Sequence, residues 1–229
     1  MKLGIRLGHP KVSSGFSPTD ASDLSLWYQN GVGVTSRQWA DSSGNNNTAD
    51  APTGNEPTPA EGGFDFENDS STTIDYLDFS SFDLTGAFSM FWVIKMESYD
   101  NQNTLFSSNN SNFIEQQSAA QIRMKCKGST TILAYGGPNN FSTGSKFLMT
   151  VNRDSSGNIS TYKDGVLLTQ SGSSGNPNTS TLTIDTLGVR DDTDRAFDGI
   201  MYELLVYDSE KTGSELTSLH NYLTTKFSL

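Results

Sequence analysis

Cysteine and histidine are nearly missing from this sequence: Cys126 stands alone among 229 residues, and His9 and His220 are the only imidazoles. One thiol cannot close an intramolecular disulfide, and one cysteine with two histidines cannot supply the clustered ligands of a zinc site. A nucleophilic serine or cysteine would need one of those histidines as its base, and neither has a partner in sequence. Cys126 alternates with Met124 and Ile122, which reads as an inert thiol at a buried strand position. Positive charge is scarce too: 15 Lys and Arg stand against 26 Asp and Glu, a net charge of −11. With no basic cluster interleaved with aromatics, a nucleic acid is excluded as partner, because phosphate binding needs a basic surface that releases counterions. No run of 18 apolar residues occurs, and the first residues lack the apolar core of a signal peptide. The expectation is therefore a chain made in the cytoplasm, without a membrane partner.

What is present is a dense series of short strand patterns. Alternating or doubly apolar segments at 24–28, 63–67, 73–79, 87–96, 103–107, 120–127, 130–135, 146–152, 158–164, 166–169 and 182–189 are separated by Gly, Asn and Ser clusters. That density predicts a sandwich or barrel. Residues 87–96 and 200–207 are apolar on both faces and are predicted to sit in the middle of a sheet. In the second of these, strict alternation puts Ile200, Tyr202, Leu204 and Val206 on one face and Met201, Leu205 and Tyr207 on the other, with Glu203 the only charge. Thr212 and Glu215 have capping-box spacing, and Leu216, Leu219, Tyr222, Leu223 and Phe227 recur at helical spacing, which predicts one amphipathic C-terminal helix with His220 on its surface. The hairpin at 151–168 turns on Asp164-Gly165, a type I′ signal, while Asp154 marks another turn. Residues 41–62 and 171–180 are polar and read as surface loops, the second flexible. Aromatics make up 10% of the chain against 34% hydrophobic residues, so the core is expected to be aromatic-rich, with Trp27 and Trp39 in it.

The pattern aromatic-x-Gly-apolar-x-x-Glu followed by a helix ending Tyr-Leu-x-x-Lys falls on Phe197, Gly199, Ile200, Glu203, Tyr222, Leu223 and Lys226. It resembles the C-terminal signature of concanavalin A-like, laminin G-like domains. Trp27, Trp39, Asp41, Ser43, Gly44 and Asn45 and the 151–168 hairpin fit the same family in the same order. The resemblance implies an all-β fold, an antiparallel two-sheet jelly-roll sandwich with one C-terminal helix, over residues 20–229. It does not choose a function, because such sandwiches serve as lectins, adhesins, glycosidases and virion proteins.

Candidate chemistry is thin. A jelly-roll glucanase needs paired carboxyl groups on one strand in a Glu-x-Asp-x-x-Glu pattern, and Glu61, Asp65 and Glu67 miss that spacing. The chain therefore reads as a non-enzyme. No cofactor is implied, with calcium left open because oxygen ligands can come from scattered acids: Asp191, Asp192 and Asp194 are the leading candidates, followed by Asp41 with Asn45 and Asp100 with Asn101.

Residues 1–19 form a basic N-terminal arm with three bases and no acid, leaving −14 on the rest. Leu3, Ile5 and Leu7 alternate with Lys2, Gly4 and Arg6, a pattern that forms a strand by adding to a sheet edge. A jelly roll with such an arm and long Asn/Ser/Gly loops resembles tailed-phage virion proteins. That resemblance implies a capsid decoration protein made in the host cytoplasm and carried in the virion, with other virion proteins, above all the capsid shell, as partners. Lys2, Leu3, Ile5, Arg6, Leu7 and Lys11 are its expected docking residues. The alternative is a carbohydrate-binding adhesin or tail-fibre domain with a glycan partner, stacking sugars on Tyr99, Tyr135 and Phe141.

Overall fold

The computed structural model describes residues 15–68, 73–99, 102–136, 141–190 and 195–229. After a short 3-10 turn (Pro18–Asp20) the chain forms β1 (Leu24–Tyr28), β2 (Gln38–Trp39), β3 (Ala49–Asp50), β4 (Thr58–Ala60), β5 (Gly63–Phe66), β6 (Leu77–Leu84), β7 (Phe88–Met96) and β8 (Thr104–Asn109). It continues through β9 (Asn112–Ser118), β10 (Gln121–Cys126), β11 (Ser129–Tyr135), β12 (Lys146–Arg153), β13 (Ile159–Lys163), β14 (Val166–Leu167), β15 (Gln170–Ser174), β16 (Leu182–Leu187) and β17 (Gly199–Tyr207) to one helix, α1 (Gly213–Phe227). Two antiparallel sheets result. One runs β14-β13-β12-β7-β17-β5-β4, with β1 also paired to β17, and the other β15-β11-β10-β9-β8-β16-β6-β3-β2. This is the expected jelly-roll sandwich with a C-terminal helix, and β7 and β17 are neighbours in mid-sheet.

The two layers of packing follow from those two doubly apolar strands. Between the sheets lies an aromatic-rich core in which Tyr28 stacks on Trp39 at 5.4 Å, Trp39 meets Phe64 at 5.7 Å and Trp92 meets Phe106 at 5.7 Å. On the other side of the first sheet, Trp27, Phe91, Val93, Leu148, Ile200, Tyr202, Leu205 and Tyr207 form a second layer under Leu219 and Leu223 of α1. Each fully buried leucine there contributes about 1.5–3 kcal/mol. The Asp164-Gly165 turn forms as expected, both residues at positive φ, and Asp154 closes its own turn by accepting from the amides of Ser156 and Asn158.

Several expectations need correction. The faces of β17 do not alternate strictly: a register shift between Met201 and Glu203 adds one residue against β7. Ile200 and Tyr202 therefore share the helix side with Leu205 and Tyr207, while Met201, Leu204 and Val206 enter the inter-sheet core. His220 is not a surface residue. It is buried, ring to ring with Phe91 at 5.8 Å and Tyr162 at 5.2 Å, with Nε2 3.1 Å from the Thr150 hydroxyl. The Thr212 side chain makes no capping hydrogen bond, and the Glu215 carboxylate accepts from the Ser22 amide and pairs with the buried Lys211. The 171–180 stretch begins as strand β15, held by backbone pairing to β11, and the 41–62 excursion contains β3 and β4 and buries Ala49 and Ala51. β9, absent from the sequence reading, carries buried Glu115 and Gln116.

Candidate functional site

The signature residues converge on one buried carboxylate. Glu203 is displaced to the helix side by the β17 bulge, and its side chain is 0% exposed. It accepts from Trp27 Nε1 at 3.0 Å, Tyr222 Oη at 3.1 Å, Lys226 Nζ at 2.5 Å and the Asn30 amide at 3.3 Å. Strand, helix and first body strand are thus joined at a single group. Gly199 is part of the same construction: at φ +130° it presses against β7 so closely that a Cβ would lie 2.1 Å from the Lys95 carbonyl.

The Asp41–Asn45 pair, a calcium candidate in sequence, is a loop knot. Asp41 Oδ1 accepts from the backbone amides of Trp27 and Ser43, Oδ2 accepts from Ser43 Oγ and the Asn47 backbone amide, and the Asn45 side-chain Nδ2 donates to the carbonyls of Leu24 and Ser25. Both carboxylate oxygens already hold protein donors, which is unlike a cation site. Among the described residues no group of three or more His, Cys, Asp or Glu is gathered where it could hold a metal. Asp191, Asp192, Asp194, Asp100 and Asn101 lie outside the described residues, as do Lys2, Leu3, Ile5, Arg6, Leu7, His9 and Lys11 of the arm.

Two of the three aromatics proposed for sugar stacking are buried. Tyr135 and Phe141 belong to the inter-sheet core, and Tyr99, half-buried, donates its hydroxyl to the Phe141 carbonyl. Trp27, Trp39 and Trp92 are likewise buried. Cys126 is buried as expected, and desolvation pushes its thiol up to about 11. Burial also pushes the Asp65 carboxyl up to about 6, helped by the charges of Glu67 and Glu97. Glu61 instead lies on the turn before β5, in an ion pair with Lys146 at 3.7 Å, so the three acids do not form a strand triad.

Two further constellations were not foreseen. On the outer side of the second sheet, buried Glu115 is ringed by Arg123 at 3.3 Å, Arg195 at 3.4 Å and Arg190 at 3.6 Å, and Arg123 and Arg190 also lie over the Phe113 ring. Burial raises the Glu115 pKa against the pull of the three guanidiniums, an arrangement that ties β9, β10 and the residues flanking 191–194 together. On the outer side of α1, Phe16, Ser218, Asn221, Tyr222, Thr225 and Lys226 line a groove of about 420 Å³. The Phe16 and Tyr222 rings meet there at 64° with centroids 6.4 Å apart, and Asn221 and Thr225 are exposed.

A family model described as the concanavalin A-like lectin/glucanases superfamily, of laminin G type, matches residues 66–217. No curated protein matches. Among solved structures, the binding domain of Paraclostridial Mosquitocidal Protein 1 is 15% identical with a TM-score of 0.61, covering 90% of this chain and 53% of that one. A structure described as showing that cell entry of botulinum neurotoxin type C depends on two ganglioside molecules is 18% identical with a TM-score of 0.61, covering 88% and 51%. A Trypanosoma rangeli sialidase is 12% identical with a TM-score of 0.57, covering 90% and 34%. This chain spans about half the length of the toxin domains and a third of the sialidase, and at these identities the likeness is one of fold. With two thirds of its residues matched by the family model and its sheets and helix arranged accordingly, the chain belongs to the concanavalin A-like lectin/glucanases superfamily.

Proposed function

We propose that the chain is a non-catalytic binding module, a virion structural protein of the capsid-decoration type that docks on the shell through its N-terminal arm, residues 1–19. The observation that carries this reading is the commitment of the sequence's chemical side chains to the body itself: Glu203 and Asp41 hold strands and helix, and the tryptophans, Tyr135 and Phe141 are core. Recognition then falls to surfaces. The arm's three bases contrast with the −14 of the remainder, and its Leu3, Ile5 and Leu7 are spaced for strand addition. Backbone pairing, at about 0.5–1.5 kcal/mol per hydrogen bond, would supply more of the affinity than exposed pairs of Lys2, Arg6 and Lys11, worth about 0.2–1 kcal/mol each. The test is co-sedimentation with parent shells that lack the protein. The full chain is expected to sediment with them, and a chain without residues 1–12 to stay in solution while keeping its thermal transition. Equal occupancy by the truncated chain refutes docking through the arm.

A second reading, a carbohydrate-binding adhesin or tail-fibre domain, is favoured by the structural neighbours, which include toxin binding domains and a structure concerned with gangliosides. An adhesin is retained on a polysaccharide column and ignores shells. Reducing ends released from the polysaccharide would contradict both readings.

A further inference from the structure

We infer that the edge strand β15 receives residues Leu3–Leu7 of a second copy of this chain, so that the free protein carries its arm on a like molecule until a shell edge takes it over. The inference rests on the reading of the arm as a strand-adding segment, and adds what holds it before docking. Among the described residues β15 is the one long sheet edge left open. Of the four strands that end the two sheets, β2 and β14 have two residues and β4 has three, Pro59 among them, whereas β15 has five and holds neither proline nor charge. The outer edge of β1 is already occupied by the loop that follows β2, in which Asp41 accepts from the Trp27 amide while Asn45 and Ser42 donate to the carbonyls of Leu24, Ser25 and Trp27. Exposed edges are ordinarily kept short, charged or broken by proline, because a bare row of amides and carbonyls pairs with any strand that arrives. β15 has none of those guards.

The same rim lacks apolar cover. β14, joined to β15 by Leu168 and Thr169, exposes Val166 by 67% and Leu167 by 58%, more than any other large apolar residue described. Val166 shares its face with Leu168, which packs on the inter-sheet core, and the two line a groove of about 210 Å³ with Lys163 and Asp164. A strand added to β15 turns alternate side chains to either face: with Leu3, Ile5 and Leu7 inward it closes that groove, and Lys2, Gly4 and Arg6 meet water. The lengths agree, five residues from Leu3 to Leu7 against the five of β15. The −14 of the body attracts the arm's three bases, and no charge on β15 opposes them.

The arm that fills this edge comes from another molecule. Phe16 packs on Tyr222, whose hydroxyl reaches Glu203 of β17, whereas the β13–β14 hairpin lies at the opposite flank of α1, where His220 meets Tyr162. From β17 the sheet runs through β7, β12 and β13 to β14. At ~4.8 Å per strand and ~10 Å to the second sheet, the path is roughly 30 Å before any detour around α1, itself ~10 Å across. Phe16 and Leu7 are nine residues apart, a reach of at most ~30 Å fully extended, so a chain's own arm falls short of its own β15. Two copies that exchange arms form a closed two-fold dimer, each edge filled by the other's arm.

The test is sedimentation velocity over a concentration series. The full chain is expected to be dimeric, and the chain without residues 1–12 monomeric. Ser173→Lys, which charges the open edge, and Val166→Lys, which charges the groove, are each expected to weaken dimerisation about tenfold, the scale of one or two lost strand contacts. Both residues are exposed, so both variants are expected to keep the parent melting temperature. Both also keep the arm and are expected to sediment with parent shells, as the truncated chain is not. A monomeric full chain, a dimer that survives removal of the arm, or dimerisation undiminished in either variant overturns the inference. Shell binding absent from the full chain and both variants, with dimerisation as expected, contradicts docking on the shell and leaves the exchange of arms standing.

Discussion

Replacing Glu203 tests how the family signature holds this body together. Glu203→Ala removes the acceptor for Trp27 Nε1 and Tyr222 Oη, the first buried and the second half-buried, and for the Asn30 amide. A buried donor left without a partner costs about 1–3 kcal/mol. Lys226 adds little, because its side chain is 27% exposed and can return to water, so its pair counts as one of about 0–1 kcal/mol. Allowing for water entering beside Tyr222, the expected loss is about 3 kcal/mol for Ala. Glu203→Gln, which keeps one acceptor oxygen, is expected to lose about 1–2 kcal/mol. At about 2–4 °C per kcal/mol for a chain of this length, the Ala variant should melt roughly 6–12 °C lower. Urea unfolding followed by tryptophan fluorescence, with calorimetry alongside, measures both. A double-mutant cycle with Tyr222→Phe should return a coupling of about 1 kcal/mol. A loss below ~0.5 kcal/mol in Glu203→Ala, or no coupling to Tyr222, refutes the idea that the carboxylate joins helix to sheet.

Other outcomes follow from the same contacts. Burial holds the His220 imidazole down at about 4 from its ordinary 6.5, so between those values the unfolded chain takes up a proton that the folded one refuses. Stability is therefore full above pH ~6.5 and falls as the pH drops toward 4, by up to ~3 kcal/mol, a slope that His220→Gln should remove in urea titrations across that range. Asp65 has the opposite sign: with its pKa raised from 3.8 to about 6, its contribution is present at acid pH and lost as the pH rises through 6. Asp65→Asn should accordingly raise the melting temperature at pH 7 and leave it nearly unchanged at pH 4. Gly199→Ala places a Cβ 2.1 Å from the Lys95 carbonyl at a φ of +130°, so no soluble folded protein is expected, as judged by circular dichroism and gel filtration; a normal transition would contradict the close β17–β7 approach.

Fold class was legible because β7, β17 and α1 bury long apolar side chains, and burial of that kind leaves a periodic trace. Elements held by backbone pairing left none. β15 is almost entirely exposed along its length, and β3 contributes only Ala49 to the core. The face assignment of β17 failed at Tyr202 because a bulge adds one residue to a strand without changing its composition. His220 flanks Leu219 on the helix, and only the positions of Phe91, Thr150 and Tyr162 beneath it decide that it is enclosed. At the candidate sites, Glu203 was visible as a lone charge in an apolar strand, but its partner Trp27 lies 176 residues away. The ring of Arg123, Arg190 and Arg195 around Glu115 is equally non-local. The contact of Phe16 with Tyr222 was not legible because one stands in an irregular segment and the other on a helix face assigned to the core.

Electron cryomicroscopy of the parent particle tests docking through the arm most directly. The expected map shows the sandwich outside the shell, with residues 2–8 running as an added strand along a sheet edge of a shell subunit and the acidic body turned to solvent. A particle that lacks the sandwich, or one that holds it by a face of the body with residues 2–8 unattached, would contradict that assignment.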